Sequence, residues 1–395
     1  MSPLRVLHVI TALDPAAGGP PVVAPRLGAA PAAHGCTVTL VAYKGDEAGH
    51  QRALDLIAET PGSEALRASW IPRGGAAESL TGRAAAAALQ QTLRDETDVL
   101  HVHGMWEMML PAAASVARRN RAPYGIAPHG MLDPAVYKVR RWKKDLALAS
   151  THRSFLRRAS CLHMLNRDEV DLARPLTKDV PTRVIPNGIF ESEFDALPEP
   201  GRLRDKFKEL GGDPIILFLS RLQHKKGLDY LVDAFAIVAR EDPRVRLVIA
   251  GPDGGEERPT RQRIDKLGVG DRVHLVGPLY GEDKLAALRD ATVFCLPSRQ
   301  EGFSIAITEA LAVGLPVVVT KACHYPEVTE AGAGIETELD SQDVADALLA
   351  ILGDPDRARE MGQSGAKLVR ERFTWPVVGR ASIEMYDQVR GEANA

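Results

Sequence analysis

At 395 residues, with a formal net charge of −3, 45% hydrophobic and 26% charged residues, the chain has a globular composition and is too long for one ordinary core, which points to two domains. The charge balance excludes a whole-protein drive toward nucleic acid, and no uncharged stretch approaches the ~18 residues of a membrane span. Four scattered cysteines (Cys36, Cys161, Cys295 and Cys323) form no Cys-x2-Cys pair and are read as reduced thiols of a cytosolic protein, and the opening MSPLRVLHVI as a strand rather than a secretory leader.

In chain order, residues 5–11 and 38–42 are apolar runs that predict buried parallel strands. Between them Gly18-Gly19-Pro20-Pro21 opens a helix-like segment ending at His34-Gly35. This is a βαβ unit whose turn lets a substrate approach the backbone closely, though it lacks the Gly-x-Gly-x-x-Gly of dinucleotide sites. Pro25 and Pro31 fall inside the helix, each costing ~3 kcal/mol or more, so the helix is predicted to kink or to begin late. Residues 45–81 mix glycine, proline and charge and predict a loop-rich insertion. Residues 83–94 predict a helix, and 98–103 and 123–128 two further strands.

Histidines cluster on those strands. His101 and His103 stand at i and i+2, a spacing that can ligate zinc, but no third ligand shows at metal spacing and no metal site is assigned. His129 follows a strand's C-terminal end, where ligands of open α/β sheets bind, and is read as functional. His101 is read as buried, and His103 as either. Asp133, in the same loop, can orient a hydroxyl or cap a helix. Residues 137–158 set arginines and lysines around Trp142 with few acids: a basic helix that suits an anionic bilayer, a diphosphate-linked molecule, or plain solvent. Residues 160–166 and 182–186 predict the last strands of the first domain, and Asn187-Gly188 a turn.

Residues 191–212 read as a linker with a short helix at 203–210. A strand at 214–220 opens the second sheet, then come Arg221-Leu222-Gln223-His224-Lys225-Lys226-Gly227 and an amphipathic helix at 228–240. Arg221 and Lys226, at a strand's end and just before a helix, are placed to hold a diphosphate. Residues 245–251, 273–277 and 293–296 predict strands, and 285–290 a helix. Residues 298–320, SRQEGFSIAITEALAVGLPVVVT, read as a loop, a helix capped by Ser304, and a buried strand. The bare N–H groups of such a helix start attract an anion. Glu301 before the helix and Glu309 within it can each hold a pair of vicinal hydroxyls. Anion plus hydroxyls describes a nucleotide sugar. Helical patterns follow at 343–352, at 358–373 and from Trp375 onward.

The Glu301-x7-Glu309 spacing, set among Pro297-Ser298, Gly302-Phe303, Ala310 and Gly314-Leu315-Pro316-Val317, resembles the donor site of retaining glycosyltransferases with two Rossmann-like domains (the GT-B fold; family 4, group 1). Arg221-x4-Lys226-Gly227 matches that family's second signature. The resemblance implies two Rossmann-like α/β domains facing across a cleft: an acceptor domain at 1–190, a linker at 191–212, a donor domain at 213–374, and a C-terminal helix at 375–395 crossing back to the first domain. It implies that Arg221, Lys226 and the helix start at Gly302, Phe303 and Ser304 hold the leaving diphosphate, Glu309 the ribose and Glu301 the sugar hydroxyls. Pro278 and Leu279 would hold the base through their backbone. Asn187 matches a turn beside the cleft, with Phe190 where the family has aspartate. Gly18 and Gly19 would border acceptor and donor phosphate. His129 would meet the sugar or diphosphate, with His103 and Asp133 toward the acceptor.

The implied activity is transfer of a sugar, with retention, from a UDP- or GDP-linked donor to a hydroxyl of a saccharide or lipid-linked saccharide in surface polysaccharide synthesis. Front-face displacement is expected, with no cofactor beyond the nucleotide sugar and no metal, in the cytoplasm or at the inner membrane face. Two other classes fit less of the pattern: a nucleotide-sugar epimerase on the same scaffold, and a non-catalytic nucleotide-sugar binding protein.

Overall fold

The computed structural model describes residues 3–394, and the chain divides into two compact units. The first ends at Asn187 and takes the chain up again at Trp375; the second is Gly188–Thr374. Residues 191–212, predicted as a linker, therefore belong to the second unit. They hold the helix Arg202–Lys206, whose Gly201 and Leu203 N–H groups donate to Asp290.

The first unit is built on an all-parallel sheet of seven strands among the described residues: β1 (Arg5–Ile10), β2 (Thr37–Lys44), β3 (Leu66–Pro72), β4 (Val99–His103), β5 (Tyr124–Ala127), β6 (Cys161–Met164) and β7 (Thr182–Val184). Their order across the sheet is β3-β2-β1-β4-β5-β6-β7. The chain's progress reverses between β1 and β4, and beyond the C-terminal ends of two such strands an open α/β sheet leaves a crevice. The second unit repeats the plan with β8 (Ile215–Leu219), β9 (Arg246–Ala250), β10 (Val273–Gly277), β11 (Val293–Leu296), β12 (Val317–Thr320) and β13 (Gly334–Thr337), ordered β10-β9-β8-β11-β12-β13. Its reversal lies between β8 and β11, the two strands that feed the Arg221 and Glu301 loops. The last helix, Trp375–Asn394, packs on the first unit's helix Gly19–Ala33, with Gly379 tight against Ala30.

Three segments differ from expectation. The helix Gly19–Ala33 begins at once and runs through both Pro25 and Pro31. Neighbours enclose it on nearly every side, and that burial outweighs the missing hydrogen bonds. Residues 45–81 form a helix (Glu47–Glu59), the edge strand β3 and a short helix (Ala76–Thr81) rather than loops. The basic stretch 137–158 is not one helix but a run of short pieces, Pro134–Lys138, Arg141–Ala147, a π-turn at Leu148–His152, and Arg153–Arg157.

Polar groups sit at the centre of the first core. His8 pairs in register with His101 across β1 and β4, and His103 and His163 are buried beside them. Loss of hydration disfavours their charged forms, holding His8 and the neighbouring His129 down to about 3, His163 to about 4, and His101 and His103 well below the usual imidazole range. An imidazole with a depressed pKa in the folded state refuses a proton that the unfolded chain accepts. Its contribution to stability is full above ~6.5 and drains away as pH falls toward the folded value, by ~1.4 kcal/mol per pH unit for each such group. The urea midpoint is expected to drop steeply between pH 7 and pH 5; a midpoint constant over that interval would contradict a neutral buried histidine set.

Candidate functional site

In the second unit, chain reversal brings two loops together. After β8, Ser220 and Arg221 lead into the turn His224–Lys226, and Gly227 opens the helix Leu228–Glu241. After β11, Pro297 and Ser298 lead through Glu301 to the helix Ile305–Ala312. Gly227 has φ of 69°, and a Cβ there would lie 1.8 Å from the Pro297 carbonyl oxygen. Only glycine permits that approach, so the Lys226-Gly227 pairing follows from steric demand. The first loop is pinned from its other side, where Leu222 N–H donates to Pro252 O and Gly254 N–H to Leu222 O.

Across this junction Lys226 Nζ donates to Glu301 Oε1 at 2.6 Å, and Ser298 Oγ donates to the same oxygen at 2.6 Å. Side-chain exposure is 11% for Lys226 and 5% for Glu301, so this is a buried ion pair. The family resemblance implies Lys226 on a diphosphate and Glu301 on sugar hydroxyls without joining them; the structure makes them partners. Arg221 is exposed and makes no ion pair among the described residues. Desolvation lowers the Lys225 ammonium; the Glu301 charge offsets part of this, while Lys226 and Arg221 add to it, which places three cations in one neighbourhood.

Glu309 is buried on the helix Ile305–Ala312, and Lys284 donates to its Oε1 at 2.7 Å. Ser304 stands at the N-cap position but its hydroxyl makes no capping bond, unlike the Ser-capped start expected. Gly302 and Phe303 are half-buried, Phe303 packing on Tyr325 and Phe373. Pro278 is exposed and Leu279 buried between β10 and the helix Gly281–Asp290. Two supports had no signature in the sequence. Lys284 is one surface-type lysine on an amphipathic helix. Arg299 grips Asp229 with both terminal nitrogens and donates to His224 O, and its backbone N–H donates to Lys225 O, clamping the two loops.

In the first unit, Gly18 (φ 130°) and Gly19 lie past β1 at the start of their helix, and open space lies where either side chain would be. His129 follows β5 in a left-handed conformation (φ 53°) that costs energy outside glycine. Buried Glu169 holds this bend, accepting from Gly130 N–H and Leu165 N–H at 2.6 Å each, another support the sequence did not reveal. His103 is buried and contacts His129 at 3.1 Å. Asp133 caps the helix Pro134–Lys138 through Ala135 N–H, and Asn187 is buried where the unit ends. The third imidazole that sequence spacing did not show is His8, whose nearest ring nitrogens lie with those of His101 and His103 within 4.8 Å of one another.

A model of the glycosyl transferases group 1 family matches residues 201–368, and a glycosyl transferase 4-like domain matches residues 18–188. An MMP alpha-(1->4)-mannosyltransferase of Mycolicibacterium hassiacum is 31% identical over 209 residues, 52% of this chain and 48% of that protein. An alpha-maltose-1-phosphate synthase of Mycolicibacterium smegmatis is 28% identical over 74% of this chain and 79% of its own. The chain thus spans about half the length of the first of these relatives. Among solved structures, sucrose-phosphate synthase of Thermosynechococcus elongatus superposes with a TM-score of 0.76 at 22% identity, covering 98% of this chain and all of that one. Anabaena HepE in complex with UDP gives 0.79 at 19%, with the same coverage. The two parallel sheets and their reversal points follow the two-Rossmann-domain, GT-B plan, and within it the chain carries a glycosyl transferase 4-like domain followed by a glycosyl transferases group 1 domain.

Proposed function

We propose that the protein transfers a sugar, with retention, from a UDP- or GDP-linked donor to a hydroxyl of a saccharide or lipid-linked saccharide. The observation that carries this is the meeting of Arg221, Lys226 and Glu301 at the reversal point of the second sheet, with Glu309 on the adjoining helix. The relatives' printed names include a mannosyltransferase and a maltose-1-phosphate synthase, and a neighbour of like fold was solved with UDP.

The demanding step is charge growing on the leaving diphosphate as the C1–O bond breaks. Arg221 offers a planar fork and Lys226 a point charge, and the N–H groups at Gly302, Phe303 and Ser304 add a helix start. Lys226 already rests on Glu301, so an arriving diphosphate shares an ammonium whose desolvation was met on folding. Glu309, steadied by Lys284, takes the ribose hydroxyls, Glu301 those of the sugar, and Pro278 and Leu279 the base. In the first unit His129 contacts the sugar or diphosphate at the reacting end, Gly18, Gly19 and Asp133 serve the acceptor side, and His103, buried behind His129, serves it through that ring. No carboxylate stands out as a covalent nucleophile, so the departing diphosphate takes the acceptor's proton on the face it leaves. A nucleotide-sugar epimerase is the competing reading; it would form product with no acceptor present.

Residues 137–158 fit delivery of a lipid-linked acceptor. Val139, Trp142 and Leu146 are 64%, 67% and 65% exposed, interleaved with Lys138, Arg140, Arg141 and Lys143. Exposed apolar side chains among cations favour an anionic bilayer over plain solvent. Lys144 turns inward instead, donating to Val136 O beneath the Trp106 and Tyr137 rings. Among the described residues no helix is long and apolar enough to cross a membrane, so contact would be peripheral.

Because Arg221 is exposed and makes no ion pair among the described residues, Arg221→Ala should leave the melting temperature nearly unchanged while kcat for transfer falls ~10²–10³-fold. Lys226→Ala should lose activity and stability together, since it strands a buried carboxylate at ~3–5 kcal/mol. Undiminished transfer by Arg221→Ala would refute the donor site, and the anomeric coupling of the product in NMR tests retention. On the membrane side, sedimentation with phosphatidylglycerol-containing vesicles should exceed that with phosphatidylcholine alone and weaken several-fold in Trp142→Ser. Equal binding to both vesicle types, or to neither, would contradict the bilayer assignment.

A further inference from the structure

The first unit joins His129 to a connected set of buried side chains, and the transfer chemistry alone has no use for His8, His101 or Tyr386 among them. His129 Nε2 lies 3.1 Å from His103 Nδ1, and His103 Nε2 lies 2.9 Å from His8 Nδ1. His8 Nε2 is 3.2 Å from the Tyr386 hydroxyl, which is 2.7 Å from His101 Nδ1. Four hydrogen bonds therefore join five groups in a single file drawn from β1, β4, the bend after β5 and the last helix.

Protons can be counted along this file. Burial keeps each imidazole neutral with one proton, and keeps the Tyr386 phenol protonated. Five protons serve four hydrogen bonds, so the fifth must sit on a terminal nitrogen: His101 Nε2 or His129 Nδ1. His101 Nε2 is buried with no hydrogen-bond partner, and a proton there would be a desolvated N–H without an acceptor, the rarest kind of orphan. His163, stacked on His101, gives no relief, because its Nε2 donates to Ile185 O and its Nδ1 is unpartnered. His129 is only half-buried, so its Nδ1 end is the one that water or a ligand oxygen can meet.

We infer that His103, His8, Tyr386 and His101 set the tautomer of His129, holding its proton on Nδ1 so that it faces outward as a neutral hydrogen-bond donor. All four bonds then run one way: His101 Nδ1–H to Tyr386 Oη, Tyr386 O–H to His8 Nε2, His8 Nδ1–H to His103 Nε2, and His103 Nδ1–H to His129 Nε2. These four are positioning residues, and the Glu169-held bend fixes the ring they act on. The inference rests on the reading of His129 as the contact to the donor's sugar or diphosphate, whose oxygens a neutral N–H suits. His8, His101 and His103 are close enough to hold a metal ion, but five of their six ring nitrogens are already engaged in these bonds.

The test is the imidazole 15N–1H correlation spectrum of the ligand-free, histidine-labelled protein at pH 7. His129 is expected to show a protonated Nδ1 and a bare Nε2. In His103→Leu the His129 Nε2 loses the N–H donor that keeps it bare, and the His129 nitrogens should move toward tautomer-averaged shifts. Three results would overturn the inference: a protonated Nε2 or an imidazolium at wild-type His129, His129 shifts unmoved by His103→Leu, or stoichiometric zinc binding that displaces the His8, His101 and His103 signals together. Should His103→Leu fail to fold, the wild-type spectrum alone still decides. None of this needs a substrate, so its failure is distinct from that of the donor site, which would show as full transfer by Arg221→Ala.

Discussion

One buried contact, Lys226 to Glu301, organises the second unit. It joins the loop after β8 to the loop after β11 at the place where that sheet's strand order reverses, and Ser298 adds a second hydrogen bond to the same carboxylate oxygen. As a source of stability such a pair is weak, because desolvating both charges cancels most of their attraction. Its consequence is positional. The ammonium is held at the junction of the two loops, while Gly227 and the Arg299–Asp229 clamp keep them from drifting apart. A site assembled this way has little left to reorganise when charge develops on a leaving group.

The first unit solves a different problem. Its sheet reversal lies between β1 and β4, beside open glycine backbone at Gly18 and Gly19, and its core at that edge is polar rather than aliphatic. Burying several imidazoles costs stability in acid and constrains protons at neutral pH. Such an arrangement is hard to account for by packing alone, since aliphatic side chains would fill the space without stranded ring nitrogens. Directed hydrogen bonds that end on His129 give those groups a use.

Much of this was legible in the residues. Buried parallel strands announce themselves as short β-branched runs, which is why β1, β4, β8, β11 and β12 stand where the apolar pattern put them. The loops around Lys226 and Glu301 were legible through the family resemblance, carried by glycine, two cations and two carboxylates at matching spacings. β3 was not, since an edge strand exposed on one face reads as LRASWIP, a mixture indistinguishable from loop. The helix Gly19–Ala33 runs against local propensity, which counts Pro25 and Pro31 against it, because tertiary enclosure decides. His8 looked like one polar residue in an apolar strand; only the β1–β4 register sets it opposite His101. Glu169, Lys284 and Arg299 share that difficulty, for nothing local marks a charged side chain whose partner lies far along the chain.

The account turns on where a nucleoside diphosphate binds, and a crystal soaked with UDP or GDP reads that directly. It predicts diphosphate density against Arg221 and Lys226, at the start of the helix Ile305–Ala312, with the ribose on Glu309. Density on any other surface, with those side chains untouched, would contradict it.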